Sequence, residues 1–290
     1  MKPSIVKGQI TKLNKRLEAL KVGERIVIEN LHNDVYHGCE GISASKIKVY
    51  IECPAKYQAL YITHEIERES NATFDVGSAA HSLCLEPENF NQEFILQPSY
   101  IDVRRGKKWE SFVEVHKDKT VLTKDQWEYC HAMRDAVARH PFSSRLLKGG
   151  KAEVSYFVRD EETGLIVKCR TDYRLDDLIV DLKTCRSSEP KKFARDAIRL
   201  GYHVQDALYR DVTGLEHFAF VAVESEKPFV VTAPITCSDN ARQLGHLEYR
   251  QALRGIRDSL DFNMWPGYTT EPVEIDVNPS LLENFNEDAE

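Results

Sequence analysis

Apolar and polar positions divide the chain into two textures. Up to residue 150 the apolar positions recur mainly at helical spacing. Ile10, Leu13, Leu17 and Leu20 stand among Lys and Arg, so residues 1–22 read as an exposed basic helix or arm. Ser43 is a candidate N-cap for the apolar, aromatic stretch Ile47–Tyr61, in which Pro54 marks a break or a second helix start. Gly77–Leu85 reads as a helix rich in small residues, ended by Glu86-Pro87, and Lys124–His140 is again helical. Residues 97–120 are polar and read as a loop carrying Arg104, Arg105, Gly106, Lys107 and Lys108.

From residue 152 the period changes to two. Val154, Tyr156 and Val158 alternate with polar residues, and Asp160 to Gly164 supply a turn. Leu165–Asp172 and Leu178–Lys183 are further strands, joined by the polar link Tyr173–Asp177. Lys191–Tyr209 reads as a helix, His217–Val223 as a strand buried on both faces, Phe229–Ile235 as a strand, and Asp239–Leu260 as a long amphipathic helix. This order predicts an α/β (α+β) fold with a mixed central β-sheet flanked by helices. Residues 1–30 are expected as an N-terminal helix or arm, and 31–290 as one domain.

Composition changes this picture little. A chain of 290 residues buries roughly three quarters of its unfolded surface and needs no disulfide or structural metal to fold. No apolar run approaches the roughly 18 residues that span a bilayer, and the polar, basic start is unlike a signal peptide. The expectation is a cytoplasmic protein without a membrane partner. The triplet Asn71-Ala72-Thr73 has the form of a glycosylation acceptor and, without a secretory signal, is read as coincidence.

A formal net charge of −7 argues against blanket phosphate binding, so any nucleic-acid contact must come from local patches. Seven scattered cysteines without a Cys-x-x-Cys pair exclude a zinc ribbon and an iron–sulfur cluster. No Gly-x-x-x-x-Gly-Lys-Ser/Thr loop occurs, so no ATP-driven motor is expected.

The segment Arg170-Thr171-Asp172-Tyr173, followed by Val180-Asp181-Leu182-Lys183-Thr184, carries the chemistry. Residues two apart on a strand share a face, so Asp181 and Lys183 point together, opposite Leu182. If the two strands form a hairpin, Asp172 sits close to Asp181. Two near carboxylates repel, and a shared proton or a divalent cation relieves them. Oxygen ligands with retained waters suit Mg²⁺, and a nearby lysine can position or deprotonate a water. These parts describe metal-assisted phosphodiester hydrolysis. The plainer alternative is a surface hairpin with an Asp–Lys pair.

Gln205 and Tyr209, four apart on a helix, share a face. Either they bind phosphate oxygens or stack a base, or Tyr209 packs in the core while Gln205 is solvated. His81, among Gly77, Ser78, Ala79, Ala80 and Ser82, is either a packed core histidine or a ligand.

Together these residues resemble the PD-(D/E)XK nuclease superfamily and, more narrowly, the RecB-like family of RecE (exonuclease VIII) C-terminal nuclease domains. The resemblance runs from about Asn33 to Trp265 through Tyr36-His37, Ile42-Ser43-Ala44-Ser45, Cys53-Pro54-Ala55-Lys56-Tyr57, Gly77 to Pro87, Cys169 to Asp172, Val180 to Thr184 and Tyr202 to Tyr209. One departure is Thr171-Asp172, where the superfamily name expects Pro-Asp.

The resemblance implies a restriction-endonuclease-like core. His81, Asp172, Asp181 and the Leu182 carbonyl would be metal ligands, for Mg²⁺ with Mn²⁺ able to substitute. Lys183 would orient or activate the attacking water, Gln205 and Tyr209 would hold the DNA strand, and Glu153, just before the first core strand, would add an acidic group. The implied activity is ATP-independent, processive 5′→3′ digestion of linear double-stranded DNA, leaving 3′ single-stranded tails for recombination. A single-strand annealing protein of the RecT type is the implied partner, and a homo-oligomeric ring, expected as a tetramer, the implied assembly. Arg104, Arg105, Lys107, Lys108, Lys191, Lys192 and Arg195 would then face a DNA channel; otherwise the Arg104–Lys108 run is a solvated loop. Competing readings are a structure-selective endonuclease on the same fold and a catalytically inactive DNA-binding module.

Overall fold

Alternation along the strands places a helical layer on each face of one sheet. The computed structural model describes residues 3–66 and 72–279; Asn71 of the acceptor triplet lies outside them. The helices are α1 (Pro3–Glu18), α2 (Asn33–Gly38), α3 (Ala44–Glu52), α4 (Pro54–Tyr61), α5 (Ala72–Leu85), α6 (Phe90–Glu93), α7 (Lys107–Val115), α8 (Lys124–Arg139), α9 (Ser143–Leu146), α10 (Pro190–Arg199), α11 (Tyr202–Thr213) and α12 (Asp239–Phe262). The strands are β1 (Arg25–Ile28), β2 (Phe94–Leu96), β3 (Thr120–Leu122), β4 (Lys151–Arg159), β5 (Ile166–Arg174), β6 (Leu178–Cys185) and β7 (His217–Glu224).

Five strands form a mixed sheet in the order β1-β4-β5-β6-β7. The first four are successively antiparallel, and β7 runs parallel to β6. A parallel pair needs a crossover, and α10 and α11 provide it. Val154, Tyr156 and Cys169 pack with α3, α11 and α12, and Ile179 and Phe220 pack with Phe193 of α10. On the opposite face Phe157 meets α1 and α2, while Val180 and Leu182 meet α5 and α8. No described helix is long and apolar enough to cross a membrane. All seven cysteines are free.

Several sequence expectations change. The basic N-terminal segment is a helix, but not an exposed arm: Val6, Leu13, Leu17 and Leu20 are buried against Val35, Tyr36 and Phe157. Each such burial contributes roughly 1.5–3 kcal/mol, more than solvating the basic face can offset. The chain then enters the sheet as β1, a strand the alternation did not reveal. Residues 97–120 are not a continuous loop, because α7 forms within them and β3 pairs in parallel with β2. The helix expected over Lys191–Tyr209 is two helices, broken at Gly201, whose φ of 67° lies in the left-handed region. Glycine adopts that conformation without a Cβ penalty. Phe229–Ile235 makes only isolated bridges, Val231 with Val223 and Ile235 with Phe220. Ser43 occupies an N-cap position without a side-chain capping bond; its hydroxyl pairs with that of Ser45 at 2.9 Å.

Helices α11 and α12 approach closely at Gly245, where an added Cβ would lie 2.2 Å from the His203 carbonyl oxygen. Alanine is the better helix former by about 1 kcal/mol, but a clash with backbone cannot be relieved by a rotamer change. Gly245→Ala is therefore expected to destabilise the fold by about 1–3 kcal/mol net, read as a lower urea midpoint with an unchanged slope.

Candidate active site

The site begins where two strands stop pairing. β5 and β6 are in register at Arg174↔Ile179 and Tyr173↔Val180. The next step of that register sets Asp172 opposite Asp181, yet the ladder ends there. The Leu182 N–H instead donates to Asp172 Oδ2 at 2.8 Å, so a carboxylate takes the place of a backbone acceptor. On the other side of β5, Ala152↔Tyr173 and Val154↔Thr171 bracket Glu153 opposite Asp172. Glu153 has a φ of 50°, uncommon for a residue with a Cβ. It lies inside β4, not ahead of the first core strand. Three adjacent strands thus contribute one carboxylate each to one row.

Helix α11 and the Gly201 turn complete the row. Asp181 is almost fully buried, and its Oδ2 lies 2.5 Å from Lys183 Nζ. The Gln205 amide bridges this pair: Nε2 donates to Asp181 Oδ1 at 2.5 Å, and Oε1 accepts from Lys183 Nζ at 3.1 Å. Lys183 Nζ also sits 4.7 Å from the centre of the Tyr202 ring, a favourable cation–π position. From α5, His81 Nδ1 approaches Asp172 Oδ2 to 3.6 Å.

Burial and mutual repulsion set the electrostatics. Burial, then the neighbouring Asp181, pushes the Asp172 carboxyl up to about 6, against the pull of His81 and Lys183. Burial and Asp172 push Glu153 up to about 8, opposed by Arg170. Arg170 Nη1 lies 3.4 Å from Glu153 Oε2, and its other donors reach Ser155 Oγ and the Leu31 carbonyl. Burial and Glu93 raise the Glu86 carboxyl, and both glutamates also act on Glu153. Burial opposes the charge on Lys183, but Asp181 and Asp172 outweigh it and raise its pKa.

The donor set suits a hard divalent cation. Asp181 Oδ2 is buried with no hydrogen bond beyond its ion pair with Lys183, Asp172 carries a carboxyl whose ionisation is disfavoured, and His81 adds a nitrogen. Oxygen-rich sets favour hard divalent cations. Among the described residues, the group whose ligand atoms lie within 4.8 Å of one another is a different one, Asp177, Glu216 and His217, all exposed. Its members pair internally, since Asp177 accepts from the Glu216 N–H at 3.0 Å and approaches His217 Nε2 to 3.6 Å.

Other candidate residues lie as follows. Leu182 packs its side chain in the core. Tyr209 is half-buried, edge-on to Phe218 at 6.0 Å, and burial raises its hydroxyl pKa strongly. Arg104 does not project freely: it donates to Gln97 Oε1 and the Val121 carbonyl and covers the Trp109 ring. Arg105, Lys107 and Lys108 are exposed, as are Lys191 and Lys192 at the start of α10, where Glu189 accepts from both backbone N–H groups. Arg195 is exposed. Sequence reasoning missed Tyr202 as a partner of Lys183 and Arg170 as a partner of Glu153. The available signal for Arg170 was its place two residues before Asp172, on the same strand face.

A family model described as a PDDEXK-like domain of unknown function (DUF3799) matches residues 43–275. Among solved structures, a protein described as "Putative exonuclease" from Eubacterium rectale overlays with a TM-score of 0.56 at 17% identity, covering 84% of this chain and 92% of that one. A structure of SSO0001 overlays with a TM-score of 0.37 at 12% identity, covering 91% and 89%. No curated protein is significantly similar in sequence.

The raised pKa of Asp172 has a consequence for stability. Unfolded Asp titrates near 3.9 and folded Asp172 at about 6, so its ionisation opposes folding. The penalty is absent below about pH 4, grows between about pH 4 and 6, and is complete above that. Asp172→Asn keeps an acceptor for the Leu182 N–H and removes the charge. In chelator, it is expected to stabilise the protein by about 1–3 kcal/mol at pH 8 and hardly at all at pH 4, measured by denaturant unfolding.

Proposed function

We propose a function from one premise: the chain belongs to the PDDEXK-like domain family. It is a divalent-metal-dependent nuclease that digests linear double-stranded DNA from 5′ ends and leaves 3′ single-stranded tails. The observation that carries this reading is the end of the β5–β6 ladder at Asp172 and Asp181, with Lys183 two residues on and held by Gln205. A structural hairpin has no need to break its ladder around two repelling acids and bury a lysine beside them.

Each residue has a role in this reading. His81, Asp172, Asp181 and the Leu182 carbonyl would hold the cation. When bound, it supplies Lewis acidity towards a phosphodiester. The upward-shifted pKa of Lys183 favours a protonated ammonium at neutral pH, so Lys183 donates to developing negative charge rather than removing a proton. Gln205 fixes that ammonium beside Asp181 by accepting from one and donating to the other. Its amide is thus committed to the two residues and positions them. Glu153, kept from full ionisation by burial and Asp172, adds a carboxyl that a cation would draw into its charged form.

Without a nucleotide-driven motor, sustained digestion would rely on topology, which favours a homo-oligomeric ring around the duplex. A single-strand annealing protein of the RecT type would take up the product tail.

An end-labelled linear duplex with Mg²⁺ should be shortened from its 5′ ends, with no cleavage in EDTA and none of closed circular DNA. Nicking of the circle would instead mark an endonuclease. Lys183→Ala should cut turnover by roughly 10²–10³-fold while folding and DNA binding persist; near-normal turnover would remove Lys183 from the mechanism. Light scattering at working concentration should give an oligomer. Digestion should survive a challenge of excess unlabelled DNA at moderate salt, whereas contacts in an open cleft weaken steeply as salt rises.

A further inference from the structure

We propose that the groove beside α7 docks single-stranded DNA by base stacking and phosphate contact. The choice of DNA rests on the nuclease reading above; the groove's chemistry does not. α7 forms in the connection between β2 and β3 and has no buried residue. The groove is about 510 Å³ and is lined chiefly by Tyr100, Lys107, Lys108, Phe112, Val115 and His116. Tyr100 is 64% exposed and Val115 76%, so this apolar surface faces solvent.

Two features select the occupant. The first is aromatic: the Phe112 and His116 rings lie 4.6 Å apart, Trp109 continues the cluster 6.4 Å from Phe112, and the Arg104 guanidinium sits 5.3 Å over Trp109. Ring faces and a guanidinium plane stack nucleobases of any sequence. The second is charge. Lys107 and Lys108 line the groove and no carboxylate does, because Glu110 and Glu114 fall outside the lining arc of the helix. A second copy of the chain fits less well, since lysine is depleted from protein interface cores. Duplex DNA fits less well too, because its bases are stacked on each other and a groove of this size does not admit a helix about 20 Å wide.

Glu93, which acts electrostatically on Glu153, is followed directly by β2, and α7 lies in the connection that leads from β2 to β3.

Fluorescence anisotropy of labelled oligo(dT) in EDTA tests this without turnover. The wild type should bind, Phe112→Ala should bind roughly tenfold more weakly, and the exposed double variant Lys107→Glu, Lys108→Glu should weaken binding and flatten its salt dependence. Phe112→Ala should leave affinity for blunt duplex within twofold. Unchanged oligo(dT) affinity in the lysine variant, whose side chains have no packing role, would overturn the proposal. So would altered self-association in light scattering with unaltered DNA binding, which would make the groove an interface between copies. Cleavage of linear duplex in Mg²⁺ is read separately: cleavage without oligo(dT) binding sinks the groove alone, and binding without cleavage supports the groove while sinking the nuclease reading.

Discussion

The fold and its chemistry hinge on one substituted hydrogen bond. In an antiparallel ladder the Leu182 N–H would find a carbonyl on β5; here it finds Asp172 Oδ2. That exchange lets β5 and β6 part without orphaning a backbone donor, which would cost about 1–3 kcal/mol if left buried and unmet. It also fixes the carboxylate against Asp181 despite their repulsion. Beyond Val180, β6 keeps only β7 as a full ladder partner, through the parallel register from Leu178 to Cys185. The sheet is therefore held from one side where it is opened on the other.

Charge at the opening is balanced by groups from both helical layers. α11 brings Gln205, the turn at Gly201 brings Tyr202, and α5 brings His81. The break at Gly201 matters because one straight helix from α10 would carry Tyr202 and Gln205 along a different line. Burial first and the neighbouring Asp181 second raise Asp172, whereas Lys183 is raised against its burial by Asp181 and Asp172. Two acids crowded together favour a cation beside them and disfavour their own ionisation.

The N-terminal half supports the carboxylate row from behind. Lys168, buried on β5, donates to the carbonyls of Tyr36 and Cys39 at 2.7 Å each, tying the end of α2 to the strand. Burial lowers its pKa to about 8, so this anchor is bought with a partly desolvated charge. Arg170, next on the same face, lies over the Tyr36 ring at 4.2 Å and reaches Glu153. Lys168, Arg170 and Asp172 thus alternate as anchor, bridge and site group along one strand.

Local pattern carried much of this structure. Strand-like stretches located β4 to β7, by alternation in β4 and as an apolar run in β7. A stretch rich in small residues marked the later part of α5, helical patterning located α8 and α12, and the two-residue repeat put Asp181 and Lys183 on one face opposite Leu182. Those features depend on neighbours a few residues away, which a sequence displays directly. Tertiary structure alone decided the rest. β1 is four residues long and acquires its partner only by crossing to β4, and α1 docks because Phe157, far along the chain, offers it an apolar surface. The end of the β5–β6 ladder, the turn of Gln205 towards both members of an ion pair, and the place of Glu153 opposite Asp172 are relations between strands and helices. No single segment encodes them, because each depends on the register and packing angle at which separate segments meet.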